Sequence, residues 1–302
     1  MKLVAVGGGH GTAVSLRALK RLSGDVTGVV SVADDGGSTG RLRAMLDVAA
    51  VGDLRKCLVA LADPENPLTR SFEHRFRVGE LSGHAVGNLL LVGLIDATGN
   101  LEESVHAVAQ VMGVTGTIVP ASCEGVVLVA TTEEGATRGQ TKVAKSSTIR
   151  RLSLEPANPA APIAAVEAIE RADVVVIGPG SLFTSVIAAC VVPGITQALA
   201  GTTAMKIYVA NLRAESPETD GFSLSDHLDA LERHGVRVDL VLVDQRSPFA
   251  HDEVRVATKV VDLAGKNGLV HDVQKLTMAV LESAKIDNRQ NEGDTSGNTG
   301  RD

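Results

Sequence analysis

The chain has 302 residues, of which 44% are hydrophobic and 2% aromatic, and its formal net charge is −7. This length suits one large α/β domain or two small ones. The acidic balance and the scarcity of aromatic rings argue against a nucleic-acid-binding protein, which needs a basic face and stacking platforms. A small anionic ligand stays compatible with this composition, because local backbone dipoles can outweigh net charge.

The cysteines and the N-terminus bear on the compartment. Cys57, Cys123 and Cys190 are widely spaced and form neither a disulfide framework nor a CxxC metal site. The N-terminal residues lack the apolar segment and cleavage site of a signal peptide. No apolar run reaches the length needed to cross a bilayer. These features together predict a cytoplasmic protein without a membrane span.

The first half of the chain alternates apolar runs that predict strands and helices, with strands at 3–6 and 26–32 and helices at 13–22, from about 41, at 53–61 and at 88–95. Three further strands, separated by polar turns, are predicted at 117–119, 125–131 and 149–154. We expect these three to form a small antiparallel β insertion at about residues 115–155.

The α/β alternation then resumes, with strands at 173–177, 206–211 and 236–243 and helices at 163–172, after 181, at 223–234 and at 272–284. Alternating strands and helices predict βαβ units around a mostly parallel sheet with helices on both faces. We expect one domain at 1–284 and a disordered tail at 285–302, because the tail is polar and aperiodic.

Glycines follow the first predicted strand and precede a helix. The candidate ligand contacts here are Gly8, Gly9, His10, Gly11 and Thr12. Glycines let the backbone approach a ligand closely, and the free N–H groups of a helix start attract phosphate. The pattern is only a partial match to the GxGxxG dinucleotide fingerprint.

An acidic, glycine-rich segment follows the second predicted strand. Its candidate site residues are Asp34, Asp35, Gly37, Ser38 and Arg41. An acid at this position can hold a ribose hydroxyl, and paired carboxylates can instead hold Mg²⁺ beside phosphates. Whether a metal binds here therefore stays open, and Asp34 and Asp35 are the candidate ligands. Alternatively, Arg41 and Arg43 neutralise the two acids without a cation.

A second strand–glycine–helix junction contains Gly178, Gly180 and Ser181, whose amides and hydroxyls can meet phosphate oxygens. A nucleophilic serine is disfavoured, because the GxSxG pattern is absent. Asn211 and Asp220 follow a later strand and are expected near the same crevice, at the carboxyl ends of the strands.

His84 and Asn88 lie four residues apart at the start of an apolar helix and would share one of its faces. They are candidates for contact with a base, a sugar or a phosphate. The alternative is a capping role combined with a satisfied buried histidine.

Six segments in order resemble the YvcK family, also called gluconeogenesis factor: GGGHGT at 7–12, VADDGGSTGRLR at 32–43, GDLRKCLVALAD at 52–63, GHAVGNLLL at 83–91, IGPGSLFTSVI at 177–187 and ETDGF at 218–222. The resemblance implies a Rossmann-like fold shared with the 2-phospho-L-lactate transferase (CofD) family. It also implies a UDP-sugar ligand, such as UDP-N-acetylglucosamine, and a regulatory role in cell shape and wall precursor metabolism under gluconeogenic growth.

The resemblance leaves catalysis and assembly open. No established reaction accompanies the YvcK branch, and we therefore expect a binding protein that acts through protein partners in cell-wall regulation. The alternative is a metal-dependent transferase of the 2-phospho-L-lactate type, with Mg²⁺ as its cofactor. The transferase branch carries a second acidic motif, PDLDT, where this chain keeps one acid, Asp53. A third alternative is an NAD-dependent enzyme. Whether the chain forms a homo-oligomer stays open.

Overall fold

Two sheets account for the ten strands in the part of the chain that the computed structural model describes, residues 1–46 and 48–295. The main sheet has seven parallel strands in the order β10-β9-β8-β7-β1-β2-β3. Its strands are β1 Leu3–Gly7, β2 Val26–Val30, β3 Thr117–Pro120, β7 Val174–Ile177, β8 Met205–Val209, β9 Leu240–Asp244 and β10 Ala257–Val261. The small antiparallel sheet, in the order β5-β4-β6, comprises β4 Val127–Thr132, β5 Gly135–Arg138 and β6 Arg151–Glu155.

Helices connect and cover the strands. They are α1 Gly9–Lys20, α2 Gly37–Leu46, α3 Gly52–Leu61, α4 Pro67–Glu73, α5 Val86–Thr98, α6 Leu101–Val111, α7 Gln140–Val143, α8 Ile163–Glu170, α9 Ala188–Cys190, α10 Pro193–Gly201, α11 Leu224–Arg233 and α12 Val273–Thr295. A π-helical segment, Leu182–Ile187, leads directly into α9. The mostly parallel sheet and the separate antiparallel sheet confirm the predicted fold class.

The order of the strands reverses beside β1. The chain passes from β1 through β2 to β3 on one side, then returns to β7 on the other side and continues outward to β10. Every residue of β1 and β7 is buried, as expected for central parallel strands covered on both faces. In open parallel sheets, ligands bind outside the carboxyl ends of the strands at such a reversal point.

Two predicted boundaries differ from the structure. β3 pairs in parallel with β2, so it belongs to the main sheet and the antiparallel insertion spans 127–155. The last helix runs to Thr295 rather than ending at 284, and no proline interrupts this stretch of the chain. The remainder of the predicted disordered tail, 296–302, lies outside the described residues.

Within the described residues, no single helix is both long and apolar enough to cross a membrane. The helical segments Leu182–Cys190 and Pro193–Gly201 reach the length and apolar composition of a membrane span only when they are counted together. The chain bends by 78° between them.

Candidate functional site

The loop after β1 is held close to the loop after β7. A Cβ atom at Gly11 would lie 2.0 Å from the carbonyl oxygen of Pro179, so no side chain fits there without moving the backbone. At Gly8 a Cβ atom would lie 2.6 Å from Oδ2 of Asp53. Gly8 precedes α1 in extended conformation, and no side chain caps this helix. The first-turn amides of α1 therefore lack a capping partner at the reversal point of the sheet.

A cavity of about 280 Å³, here called the central cavity, opens in front of α1. Its wall combines glycine backbone with ionisable side chains and includes Gly8, Gly9, His10, Gly11, Asp34, Asp53, Lys56, Gln140, Gly180, Ser181, Ser185 and Glu215. A helix N-terminus carries about half a positive charge, and Lys56 adds a full one. The central cavity can therefore hold a negatively charged group against backbone amides.

Asp34 and Asp53 both line the central cavity. Burial raises the pKa of the Asp34 carboxyl, and the neighbouring charge of Asp53 adds to this effect. Lys56 forms an ion pair of 2.8 Å with Asp53. Among the described residues there is no group of three or more His, Cys, Asp or Glu side chains that could hold a metal ion. Two carboxylates would still leave Mg²⁺ several of its waters, as that ion prefers.

Asp35 faces away from this cavity. Its Oδ1 accepts hydrogen bonds from the backbone N–H of Thr141 at 2.8 Å and from the Thr141 hydroxyl at 2.6 Å. The structure therefore does not bring Asp35 to the central cavity beside Asp34, where Asp53 and Glu215 are the other acids, and metal binding itself stays a prediction. The two acids lie in the irregular segment between β2 and α2, whose backbone directs them to different partners, Gly36 for Asp34 and Thr141 for Asp35.

Arg41 and Arg43 do not neutralise these acids. Arg41 donates to the carbonyl oxygen of Ser82 at 2.7 Å. Arg43 donates to the carbonyl oxygens of Asp34, at 3.2 Å, and Val126, at 2.8 Å. The cation that pairs with a carboxylate of the site is Lys56, which the sequence pattern did not indicate.

The loop after β7 is fixed by protein groups. Asn211 accepts from the N–H of Gly180 at 3.1 Å through Oδ1 and donates to its carbonyl oxygen at 3.0 Å through Nδ2. The buried Glu218 accepts from the N–H groups of Phe183 and Thr184 at 2.7 and 3.3 Å and from the Thr184 hydroxyl at 2.9 Å. These amides are already occupied, which contradicts the expectation that this junction offers a second free helix N-terminus for phosphate.

A second cavity, of about 560 Å³ and here called the distal cavity, adjoins the central one. The two share His10, Gly11, Gly180 and Glu215. The polar side chains of Asn211, Arg213 and His271 line part of the distal cavity. Apolar side chains line another part, namely Val14, Leu212, Leu269 and Val270. A volume of this size with an apolar lining and few polar groups is typical of small-molecule sites.

A third cavity, of about 520 Å³ and here called the basic cavity, lies on the other side of Asp34 and Lys56. Four cationic side chains line it: Arg41, Arg55, Lys56 and Arg75. The start of α2 contributes Gly37, Ser38 and Thr39, and α5 contributes Asn88. Asp34 is the one carboxylate among the lining residues.

His84 is buried beneath the basic cavity. Its Nδ1 lies 3.1 Å from the Ser38 hydroxyl, which also accepts from Nδ2 of Asn88 at 3.1 Å. Burial lowers the pKa of His84, and the Ser38 hydroxyl links this histidine to Asn88 in a chain of hydrogen bonds. Oδ1 of Asn88 is buried without a hydrogen-bond partner among the described residues.

The structure brings most of the predicted site residues to the three cavities: Gly8, Gly9, His10, Gly11, Asp34, Gly37, Ser38, Arg41, Asn88, Gly180, Ser181 and Asn211. Five others do not line a cavity. Thr12 bonds to the Gly8 carbonyl, Gly178 accepts from Ser15, and Asp220 accepts from Ser216. His84 supports Ser38, and Asp35 holds Thr141. Ligand contact itself stays a prediction.

Sequence reasoning missed five charged residues of the site, namely Arg55, Lys56, Arg75, Arg213 and Glu215. The available signal was the charged triplet of Asp53, Arg55 and Lys56 inside the otherwise apolar α3. Burial raises the pKa of Glu215, and this effect is larger than the lowering caused by a hydrogen bond from Ser181.

Comparison with known proteins gives one family. The model of the family described as 2-phospho-L-lactate transferase CofD matches residues 3–285. The gluconeogenesis factor of Halalkalibacterium halodurans is 44% identical over 246 residues, covering 80% of this chain and 76% of that protein. A relative from Aquifex aeolicus is 36% identical over 315 residues, covering 93% of this chain and 96% of the relative.

Other relatives are longer or have solved structures. A relative from Nostoc sp. is 44% identical over 262 residues, covering 85% of this chain, which spans only 58% of the length of that relative. The crystal structure of a UPF0052 family member from Bacillus halodurans matches with a TM-score of 0.86 at 38% identity, covering 93% of this chain and 98% of the other.

Proposed function

Since this chain belongs to the CofD family and its relatives are gluconeogenesis factors, we propose that it is a regulatory protein that binds a nucleotide-sugar of the UDP type. The diphosphate would contact the first-turn amides of α1 in the central cavity. The single observation that carries this proposal is the uncapped N-terminus of α1, open to a cavity at the reversal point of the sheet.

The adjoining distal cavity supports a nucleoside beside the diphosphate. Its apolar residues suit the faces of a base and a ribose, while Asn211 and Arg213 supply polar contacts. Phe222 lines neither cavity. Its ring packs edge-on against Phe183 at a centroid distance of 6.2 Å. Phe222 therefore contributes no group to the proposed nucleoside site.

The mechanism we propose is ligand sensing. A ligand that prefers one conformation shifts the population, and protein partners in cell-wall regulation read that state. In line with the resemblance to the YvcK family, the chain would act in cell shape and wall precursor metabolism during gluconeogenic growth.

A metal-dependent transferase of the 2-phospho-L-lactate type is the second candidate. The observation that favours it is the joint presence of Asp34 and Asp53 in the central cavity. These two carboxylates would hold Mg²⁺, which would neutralise phosphate charge in a transfer reaction. Lys56 competes for Asp53 through its ion pair, so we rank this candidate second.

A thermal-shift panel tests the binding proposal. A ligand that binds only the native state stabilises it by RT ln(1 + [L]/Kd). UDP-N-acetylglucosamine should raise the unfolding temperature more than GDP or NAD does, with and without Mg²⁺. A shift with NAD alone would contradict the proposal. Transfer from an activated phospholactate donor by the wild-type protein would favour the second candidate.

A further inference from the structure

We propose that the basic cavity is a second ligand site, which takes a phosphate ester of a small metabolite independently of the nucleotide-sugar. This goes beyond the proposed function, because it concerns another ligand and a different set of side chains.

The arginines of the basic cavity carry charge that no carboxylate of the described residues neutralises by direct contact. Arg41, Arg55 and Arg75 form no ion pair within 4 Å there, whereas Lys56 pairs with Asp53. The three arginines donate to main-chain carbonyl oxygens instead. Arg41 donates to Ser82 at 2.7 Å, Arg55 to Phe72 at 3.4 Å, and Arg75 to Gly83 at 2.9 Å. Carbonyls orient a guanidinium without cancelling its charge.

Arg55 is the strongest single indication of a ligand. It is only 4% exposed, its Nε has no hydrogen-bond partner among the described residues, and its one bond there is the long contact to Phe72. Burying an arginine without a carboxylate is unfavourable unless an anion compensates. Because Arg55 lines the cavity, an anion bound there would supply that compensation.

The start of α2 and the side chain of Asn88 complete the site. α2 has ten residues, and the first-turn amides at Gly37 and Ser38 lie at the cavity. Such amides lack intrahelical partners and favour an anion. Asn88 lines the cavity as well, is only 2% exposed, and has an Oδ1 without a hydrogen-bond partner among the described residues.

These features define the chemical class of the ligand. Arginine forks and helix amides together match the oxygens of a phosphate group. The volume of about 520 Å³ exceeds what inorganic phosphate alone would fill, which leaves room for a small organic moiety. Asp34 stands between this cavity and the central one, so the two ligands would be neighbours.

The test uses inorganic phosphate and glycerol 3-phosphate as probes in titration calorimetry of the full chain. The variant is Arg41→Gln with Arg75→Gln, because both side chains are exposed and their loss should leave the fold intact. The control is Arg70→Gln with Arg77→Gln, which removes the same charge from exposed positions outside the basic cavity. We expect the first pair to weaken phosphate binding at least tenfold and the control to change it less than threefold.

Repeating the phosphate titration in saturating UDP-N-acetylglucosamine separates the two sites. Independent sites leave the phosphate affinity within threefold, and Arg41→Gln with Arg75→Gln leaves the nucleotide-sugar affinity within threefold. Absence of phosphate binding, equal weakening in both double variants, or competition by the nucleotide-sugar would each overturn the proposal. If the nucleotide-sugar does not bind at all, the proposed function fails, and the phosphate titrations still decide the basic cavity.

Discussion

Asn211 holds Gly180 from both sides, accepting from its N–H at 3.1 Å and donating to its carbonyl oxygen at 3.0 Å. The side chain at the end of one strand thus fixes the loop after its neighbour. The backbone of Gly180 has a φ of +145°, which favours glycine, and both the central and distal cavities include this residue. Asn211 is therefore a positioning residue for the proposed diphosphate site.

Asn211→Asp should weaken UDP-N-acetylglucosamine binding at least tenfold, about 1.4 kcal/mol. The substitution replaces the donor to the Gly180 carbonyl with a second acceptor, which repels it. Titration calorimetry measures the change. Asn100→Asp is the matched control, because Asn100 caps α6 and aspartate caps a helix equally well. Unchanged affinity in Asn211→Asp would remove the Gly180 loop from the site.

Asp35→Asn should lower the free energy of unfolding by about 1 kcal/mol, because it weakens two hydrogen bonds to Thr141. Urea denaturation measures this loss. Since Asp35 lies outside the cavities, nucleotide-sugar affinity should change less than threefold. Asp34→Asn, which alters the central cavity, is the comparison variant. A loss of binding in Asp35→Asn without loss of stability would return Asp35 to the site.

His227 should make the fold sensitive to acid. Burial lowers the pKa of this histidine to about 4, and its Nδ1 lies 2.9 Å from the Tyr208 hydroxyl. Its folded pKa is below the unfolded value of 6.5. Its contribution to stability is therefore complete above pH 6.5 and is lost as the pH falls toward 4. Between pH 7 and pH 5 this loss is about 2 kcal/mol.

His227→Gln should reduce the difference in unfolding free energy between pH 7 and pH 5 by that amount, whatever its stability at either pH. Urea denaturation at both values measures the difference. The exposed His251 provides the control, and His251→Gln should retain the wild-type difference. An unaltered pH dependence in His227→Gln would mean that another group carries the acid sensitivity.

Replacing Mg²⁺ with EDTA should change UDP-N-acetylglucosamine affinity by less than tenfold, about 1.4 kcal/mol. The amides of α1 and the ammonium of Lys56 already supply positive charge, and of the three carboxylates that line the central cavity, Asp53 is already paired with Lys56. Calorimetry with and without EDTA measures the change. A larger loss would assign a metal to Asp34 and Asp53 and favour the transferase candidate.

The parallel sheet could be predicted because its strands are continuous apolar runs, each followed by glycines or polar residues. The same pattern predicted that the residues after β1, β2, β7 and β8 would meet at one edge. The capping box of α11 also follows from the sequence, because Ser223 and Asp226 have the required three-residue spacing, and both of its hydrogen bonds are present. Local patterns determine these features, so one sequence suffices to find them.

Other features of the site depend on contacts between distant segments. Glu218 caps a helical segment that begins more than thirty residues earlier in the chain. Arg55 reaches the basic cavity from α3, whose mostly apolar sequence is typical of a helix in the protein core. Nothing local distinguishes Glu218 from a turn acid, and the charged triplet in α3 marks Arg55 without indicating which cavity it reaches. Asp34 and Asp35 are identical in type and adjacent, so only the folded backbone separates their roles.

The small antiparallel sheet is tied to both halves of the main sheet. Asp35 and Arg43, which follow β2, bond to Thr141 and to the carbonyl of Val126. On the other side, Nε2 of His234, at the end of α11, accepts from the N–H of Leu152 at 2.8 Å. The insertion should consequently not open as a separate cooperative unit. Its amide hydrogens at Thr141 and Leu152 should exchange with solvent as slowly as those of the main sheet.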